Sequence, residues 1–160
     1  MKNINIICVD DQSEVLDSVI RDLRSLEDFF RIEGTESSED CLSLIDEIDS
    51  RGEQVGLVIS DHVMPGTSGV ELLKTIFNDS RFSNTKKILL TGQANHADTI
   101  KAINEAGIHS YFEKPWNAEE LLNTVKSLLT QYILKTGIDH TEYMPVLDQA
   151  VLLEYLRKNA

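Results

Sequence analysis

Apolar positions along this chain follow two different spacings. Ile4–Val9, Val55–Ser60 and Lys87–Leu90 are short, nearly continuous apolar runs, as expected of central strands buried on both faces of a parallel sheet. Between them apolar residues recur every three or four positions, which is the pattern of a helix with one face on a core. Val15, Leu16, Val19, Ile20, Leu23 and Leu26 form the first such stretch, and Phe29–Glu33 follows as a short second strand. Ser37 or Ser38 offers a side-chain oxygen to cap a helix bearing Cys41, Leu42, Leu44, Ile45 and Ile48. Val70, Leu73, Ile76 and Phe77 predict a third helix. Ala97–Ala106 predicts a fourth, closed by Gly107, and Ile108–Phe112 a fifth strand. Asn117 opens a fifth helix, with Glu120 three residues on in a capping-box-like pair. That helix carries Leu121, Leu122, Val125, Leu128, Leu129 and Ile133 and stops near Gly137.

Five strands alternating with five helices imply an α/β fold: a doubly wound, five-stranded parallel sheet with helices on both faces. Residues 137–160 fall outside the alternation. "IDHTEYM" reads as a polar connector, and Pro145 suits the first turn of a C-terminal helix over Val146–Lys158. Its apolar residues form two stripes, Val146, Ala150, Leu153 and Leu156 on one side and Leu147, Val151 and Tyr155 on another. One stripe can fold back on the sheet domain, while the other calls for a second copy of the chain or a partner.

Composition narrows the function classes. The 160 residues suit one domain plus a short appendage, and 41% hydrophobic against 26% charged residues supports a packed core. The net charge of −12 argues against a nucleic-acid surface, which needs clustered Lys and Arg. Cys8 and Cys41 sit in apolar segments with no CxxC, as buried free thiols of a reducing compartment do. No apolar run approaches the roughly 18 residues of a membrane span. "MKNINIICVDD" has too short an apolar stretch for a signal peptide, so a cytoplasmic location is expected.

The candidate chemistry lies where strands end. Asp10 and Asp11 end the first strand, Asp61 the third and Thr91 the fourth, and Lys114 follows the fifth. In a doubly wound sheet these carboxyl ends border the ligand crevice. Three crowded carboxylates repel unless a cation joins them, and a hard divalent ion such as Mg²⁺ meets that need where phosphate chemistry follows. Lys114 adds positive charge and Thr91 a hydroxyl, which together suit a transferring phosphoryl group. Asp61 then has the position of a nucleophile.

These residues give the chain a specific likeness. The acidic pair Asp10-Asp11, the "D-x-x-M-P-G-x-x-G" stretch from Asp61 to Gly69, Thr91, Tyr111 and the pair Lys114-Pro115 occur in order at the strand ends. Over about residues 3–131 the chain resembles a response-regulator receiver domain of two-component signal transduction, a flavodoxin-like fold. The resemblance implies that Asp61 accepts a phosphoryl group from a histidine kinase or a phosphotransfer protein. It implies that Asp10, Asp11, Asp61 and the backbone carbonyl of Val63 bind Mg²⁺, that Lys114 pairs with a phosphoryl oxygen, and that Thr91 and Tyr111 move as switch residues. It implies a cis Lys114–Pro115 bond. Val63 and Gln93 would flank the path of attacking water, and a valine there cannot orient a water, which implies slow self-hydrolysis.

On this reading residues 1–134 are the receiver domain, a phosphoacceptor and not a conventional enzyme. Residues 135–160 are a connector and helix for dimerisation or effector docking. The family's usual signalling face, helix 4, strand 5 and helix 5, corresponds to about Asn95–Gln131, with Ile100, Lys101, Ile103, Glu105, Lys126 and Gln131 as candidates. Output would run through a downstream effector protein or a homodimer, without direct contact to nucleic acid or membrane. Two alternatives stand beside it: a phosphate-independent interaction module on the same fold, or the N-terminal receiver of a longer regulator. A haloacid-dehalogenase-type phosphatase would carry D-x-D-x-[TV] after the first strand, where this chain has "DDQSEV".

Overall fold

The computed structural model describes residues 3–92 and 97–159. Its centre is one parallel sheet in the order β2-β1-β3-β4-β5, formed by Ile4–Val9 (β1), Arg31–Thr35 (β2), Gln54–Asp61 (β3), Lys86–Thr91 (β4) and Ser110–Glu113 (β5). The helices are Ser13–Asp22 (α1), Ser38–Ser50 (α2), Gly69–Phe77 (α3), Ala97–Glu105 (α4), Ala118–Thr136 (α5) and Gln149–Lys158 (α6). Strand residues alternate between two cores. Ile4, Ile6, Cys8, Leu57 and Ile59 pack with α1 and α5, whereas Ile7, Val9, Val55 and Val58 pack with α2 and α3. That alternation is the period-two geometry of a strand covered on both sides.

Caps set several boundaries. Ser37, rather than Ser38, caps α2 through the Asp40 amide at 3.0 Å. The Asn117 side chain accepts from the Glu120 amide at 3.0 Å, and Gly137, at φ 76°, ends α5 in the left-handed conformation that glycine reaches without steric cost. Lys114–Pro115 is cis.

Several elements depart from the pattern-based expectation: the fifth strand begins at Ser110, not Ile108, and the first helix ends at Asp22, with Leu26 in a separate 3₁₀ turn. The second strand begins at Arg31, because the Phe29 and Phe30 amides both donate to the Leu26 carbonyl in a turn. Phe30 is buried there and stacks on Tyr143 at 5.4 Å between ring centroids. The C-terminal helix begins at Gln149, not Val146. Pro145 lies inside a 3₁₀ segment over His140–Val146, Leu147 is extended, and Asp148 caps the helix by accepting from the Ala150 and Val151 amides. The connector is thereby part of the core: Tyr143, Val146 and Leu147 are buried with α1 and α5. From α6 itself Leu152, which belongs to neither predicted stripe, is buried, and Leu153 (65%), Leu156 (45%) and Tyr155 remain exposed. The start of α6 is tied to α5, since the Asp148 amide donates to Thr130 Oγ1 at 2.8 Å and that hydroxyl donates to the Lys126 carbonyl at 2.7 Å.

Candidate functional site

The carboxyl end of the sheet gathers Asp10, Asp11, Asp61, Thr91 and Lys114. Asp10 directly follows β1; its amide donates to the Thr35 carbonyl at 3.1 Å and its Oδ1 accepts from the Gln12 amide at 2.9 Å. That second bond occupies the first turn of α1, whose N-cap Gln12 makes no side-chain cap bond. Asp61 ends β3, and the next amide, His62, donates to the Leu90 carbonyl of β4 at 2.9 Å. The segment 62–68 then closes on itself, because the Gly69 amide returns to the His62 carbonyl at 2.8 Å. Residue 69 must be glycine on spatial grounds: a Cβ there would run into the Asp61 carbonyl oxygen and carbon. The Ser60 hydroxyl donates to the same carbonyl oxygen at 2.9 Å.

Lys114 reaches the acids from β5. Its amide donates to the Thr91 carbonyl at 2.9 Å, so the ends of β4 and β5 stay together. Its Nζ lies 2.7 Å from Asp61 Oδ1 and 3.3 Å from Asp10 Oδ2. Asp10, Asp61 and Thr91 are buried and Asp11 is exposed, and one carboxylate oxygen from each acid falls within 4.8 Å of the others. Burial pushes the Asp10 carboxyl above its usual range, and the nearby Asp61 charge adds to this; the Gln12 amide and Lys114 oppose it. For Lys114 burial works downward, but the hydrogen bond to Asp61 and the charges of Asp61 and Asp10 outweigh it and hold its pKa above the ordinary value. One ammonium thus pairs with two of the three clustered carboxyl groups. An oxygen-only donor set with this charge surplus fits a hard divalent cation.

The remaining sequence candidates are spread around this centre. Val63 follows two residues after Asp61 and is 77% exposed. Tyr111 pairs with Leu89 across β4 and β5 but is 43% exposed, so it is not a core aromatic. Ile100 is exposed, Ile103 packs against the α2–α3 core, and Lys101 and Glu105 lie 3.9 Å apart along α4. Gln93 and Asn95 lie outside the described residues. Trp116 donates from Nε1 to Asp22 Oδ2 of α1 at 2.8 Å, a partner no local pattern suggested. Gly69 and Ser60, which hold the Asp61 backbone, were not candidates either; in the sequence the only signal was the fixed glycine spacing after Asp61.

The family model of the response regulator receiver domain matches residues 6–126. The chain belongs to this family. Receiver domains are signalling switches operated by phosphorylation, and they work with histidine kinases and effectors. This receiver is 30% identical over 125 residues to the hydrogenase transcriptional regulatory protein HoxA of Cupriavidus necator, covering 78% of this chain and 24% of the relative. It is 29% identical over 123 residues to the chemotaxis protein CheY-3 of Vibrio cholerae, covering 75% of this chain and 87% of that one. Among solved structures it resembles the signal receiver domain of an HD domain-containing protein from Pseudomonas fluorescens Pf-5. That match has a TM-score of 0.69, 29% identity, and coverage of 82% of this chain and 98% of the other. The chain spans about a quarter of the length of the HoxA relatives it matches. Among the described residues, no helix is long and apolar enough to cross a membrane.

Proposed function

We propose that Asp61 is the phosphoacceptor of this receiver. An Asp61 carboxylate oxygen attacks the phosphorus of a phosphohistidine on a sensor kinase or phosphotransfer protein. The P–N bond breaks, and the imidazole nitrogen leaves with the electron pair and takes up a proton. What supports this reading is the position of the Lys114 ammonium, 2.7 Å from Asp61 Oδ1, ready to follow charge onto a phosphoryl oxygen. Asp10, Asp11, Asp61 and the Val63 carbonyl hold Mg²⁺, which when bound neutralises charge on the transferring group. Thr91 and Tyr111 are the switch residues, and Tyr111 begins from an exposed position.

The same chain catalyses its own phosphorylation and dephosphorylation. Residues 1–134 form the receiver, in a cytoplasmic setting, and residues 135–160 the connector and output helix. Output passes to an effector protein or a second copy through α4, β5, α5 and α6. The length of the HoxA relatives supports a second reading for output, in which this receiver is the N-terminal part of a longer regulator.

Acetyl phosphate with Mg²⁺ tests the assignment. The expected result is a mass increase of one phosphoryl group, lost in Asp61→Asn. Labelling of Asp61→Asn at the wild-type rate would overturn it.

A further inference from the structure

At the opposite end of the sheet from Asp61, a cavity of about 430 Å³ opens between the start of β4, α5 and α6. A volume of this size accommodates a small organic ligand. Its charge runs against the rest of the molecule. In a chain of net charge −12, three lysines line it, Lys86, Lys135 and Lys158, against a single acid, Glu154. Glu154 is already neutralised, because it pairs with Arg157 and lies 3.5 Å from Lys158. Among the described residues neither Lys86 nor Lys135 forms an ion pair, although carboxylates outnumber cations across the chain. Lys86 is half-buried, and burial together with the charge of Lys135 lowers its pKa. Two ammonium groups near one another, one half-buried and one exposed, with no carboxylate partner among the described residues, leave a positive field that an anion would discharge.

The other lining groups add direction. His109 Nδ1 accepts from the Lys87 amide at 3.1 Å, so the neutral ring carries its hydrogen on Nε2 as a donor. The ring stays neutral at pH 7, since burial and then the charges of Lys86 and Lys87 bring its pKa down to about 4. Leu134 of α5 and Val151 and Tyr155 of α6 supply an apolar wall.

We infer that this cavity binds a small organic anion, an apolar body bearing one phosphate-like or carboxylate group, with the charged group on Lys86 and Lys135 and the body against Leu134, Val151 and Tyr155. Because the walls come from both α5 and α6, an occupant fastens the C-terminal helix to the receiver. The site shares no residue with the Asp61 cluster.

Backbone-amide NMR of the full chain, without divalent cations, tests this with phenylphosphonate and benzoate as probes and inorganic phosphate and benzyl alcohol as controls. At least one aromatic anion is expected to give saturable shifts at Lys86, His109, Gln131 and Tyr155. Each control should bind roughly tenfold more weakly, since each lacks either the charge or the apolar body. Lys86→Gln with Lys135→Gln should weaken binding by a further order of magnitude, about tenfold. If that double variant unfolds, Lys135→Gln alone, at an exposed helix position, should still weaken it several-fold. The inference is overturned by any of these results: no saturable shift up to about 10 mM of either aromatic anion; shifts confined to the Asp10–Asp61 end; folded lysine variants that bind as wild type does; or a control that binds as tightly as the aromatic anions.

Discussion

The α-carbon of Gly69 is packed so closely on the backbone carbonyl of Asp61 that even a methyl group on residue 69 would overlap it. The third strand's end and the third helix's start are therefore one unit, and the Asp61 side chain inherits its position from that contact.

Gly69→Ala should consequently be severe for a one-methyl change. The clash is with backbone, which cannot rotate away, and the expected loss is on the order of 2–4 kcal/mol. Urea unfolding measures it. Acetyl phosphate labelling of the folded fraction should fall too, because Asp61 moves off Lys114.

Asp10 predicts the opposite sign. Its folded pKa is raised, so the native state holds a proton that the unfolded chain releases, and stability falls as pH climbs from 3.8 through the folded value. At neutral pH the charged Asp10 is a cost. Asp10→Asn should raise stability at pH 7 by on the order of 1 kcal/mol, a trade against function. The gain should vanish below pH 3.8. Mg²⁺ should raise the melting temperature of the wild type and not of the variant.

Much of this was legible in the pattern of the chain. Ile4–Val9 is buried on both faces, and continuous apolar residues have few other uses, so β1 matched its predicted bounds. The acids and Lys114 stood out because each interrupts or follows such a run. Phe29 and Phe30 misled because aromatics favour strands, whereas here the deciding contact is with Tyr143, far along the chain. The start of α6 misled similarly: Pro145 permits a helix start, but the Asp148 cap and the burial of Val146 and Leu147 set it later. How Lys114 divides itself between Asp61 and Asp10 depends on strand ends 53 and 104 residues away, which no local window contains.

Lys87 offers a pH test. It is only 1% exposed, donates to the Thr85 carbonyl at 2.9 Å and lies over the Phe77 ring. Burial, and secondarily Lys86, brings its pKa from 10.5 down to about 8. The unfolded chain binds the extra proton between those values, so Lys87 penalises folding below pH 8 and the penalty fades as pH rises toward 10.5. Lys87→Met should stabilise at pH 7 by roughly 1–3 kcal/mol. The difference from wild type should shrink between pH 8 and 10.5. The comparison has to be between the two proteins, because Cys8 and Cys41, raised by burial to about 12, destabilise each of them above pH 9.

Trp116, the single tryptophan, is hydrogen-bonded to Asp22 two residues beyond Lys114. Its emission should change when beryllofluoride and Mg²⁺ load the acidic cluster, because Lys114 must shift toward the new oxygens. Asp22→Asn should alter the starting spectrum and keep the response. An unchanged spectrum in protein whose binding is established by NMR would disconnect Trp116 from the site.

Thr130 has a mechanical consequence. One hydroxyl joins the fifth helix to the first amide of the Asp148 cap, so any rotation of the fifth helix carries the base of the sixth with it. The sixth helix has 10 residues and is about 15 Å long. A tilt of about 10° at its base swings the far tip by roughly 2.6 Å, given that length. The appendage is in effect a pointer: it converts a small turn inside the receiver into a displacement that grows along the sixth helix, past Leu153 and Leu156, toward its tip.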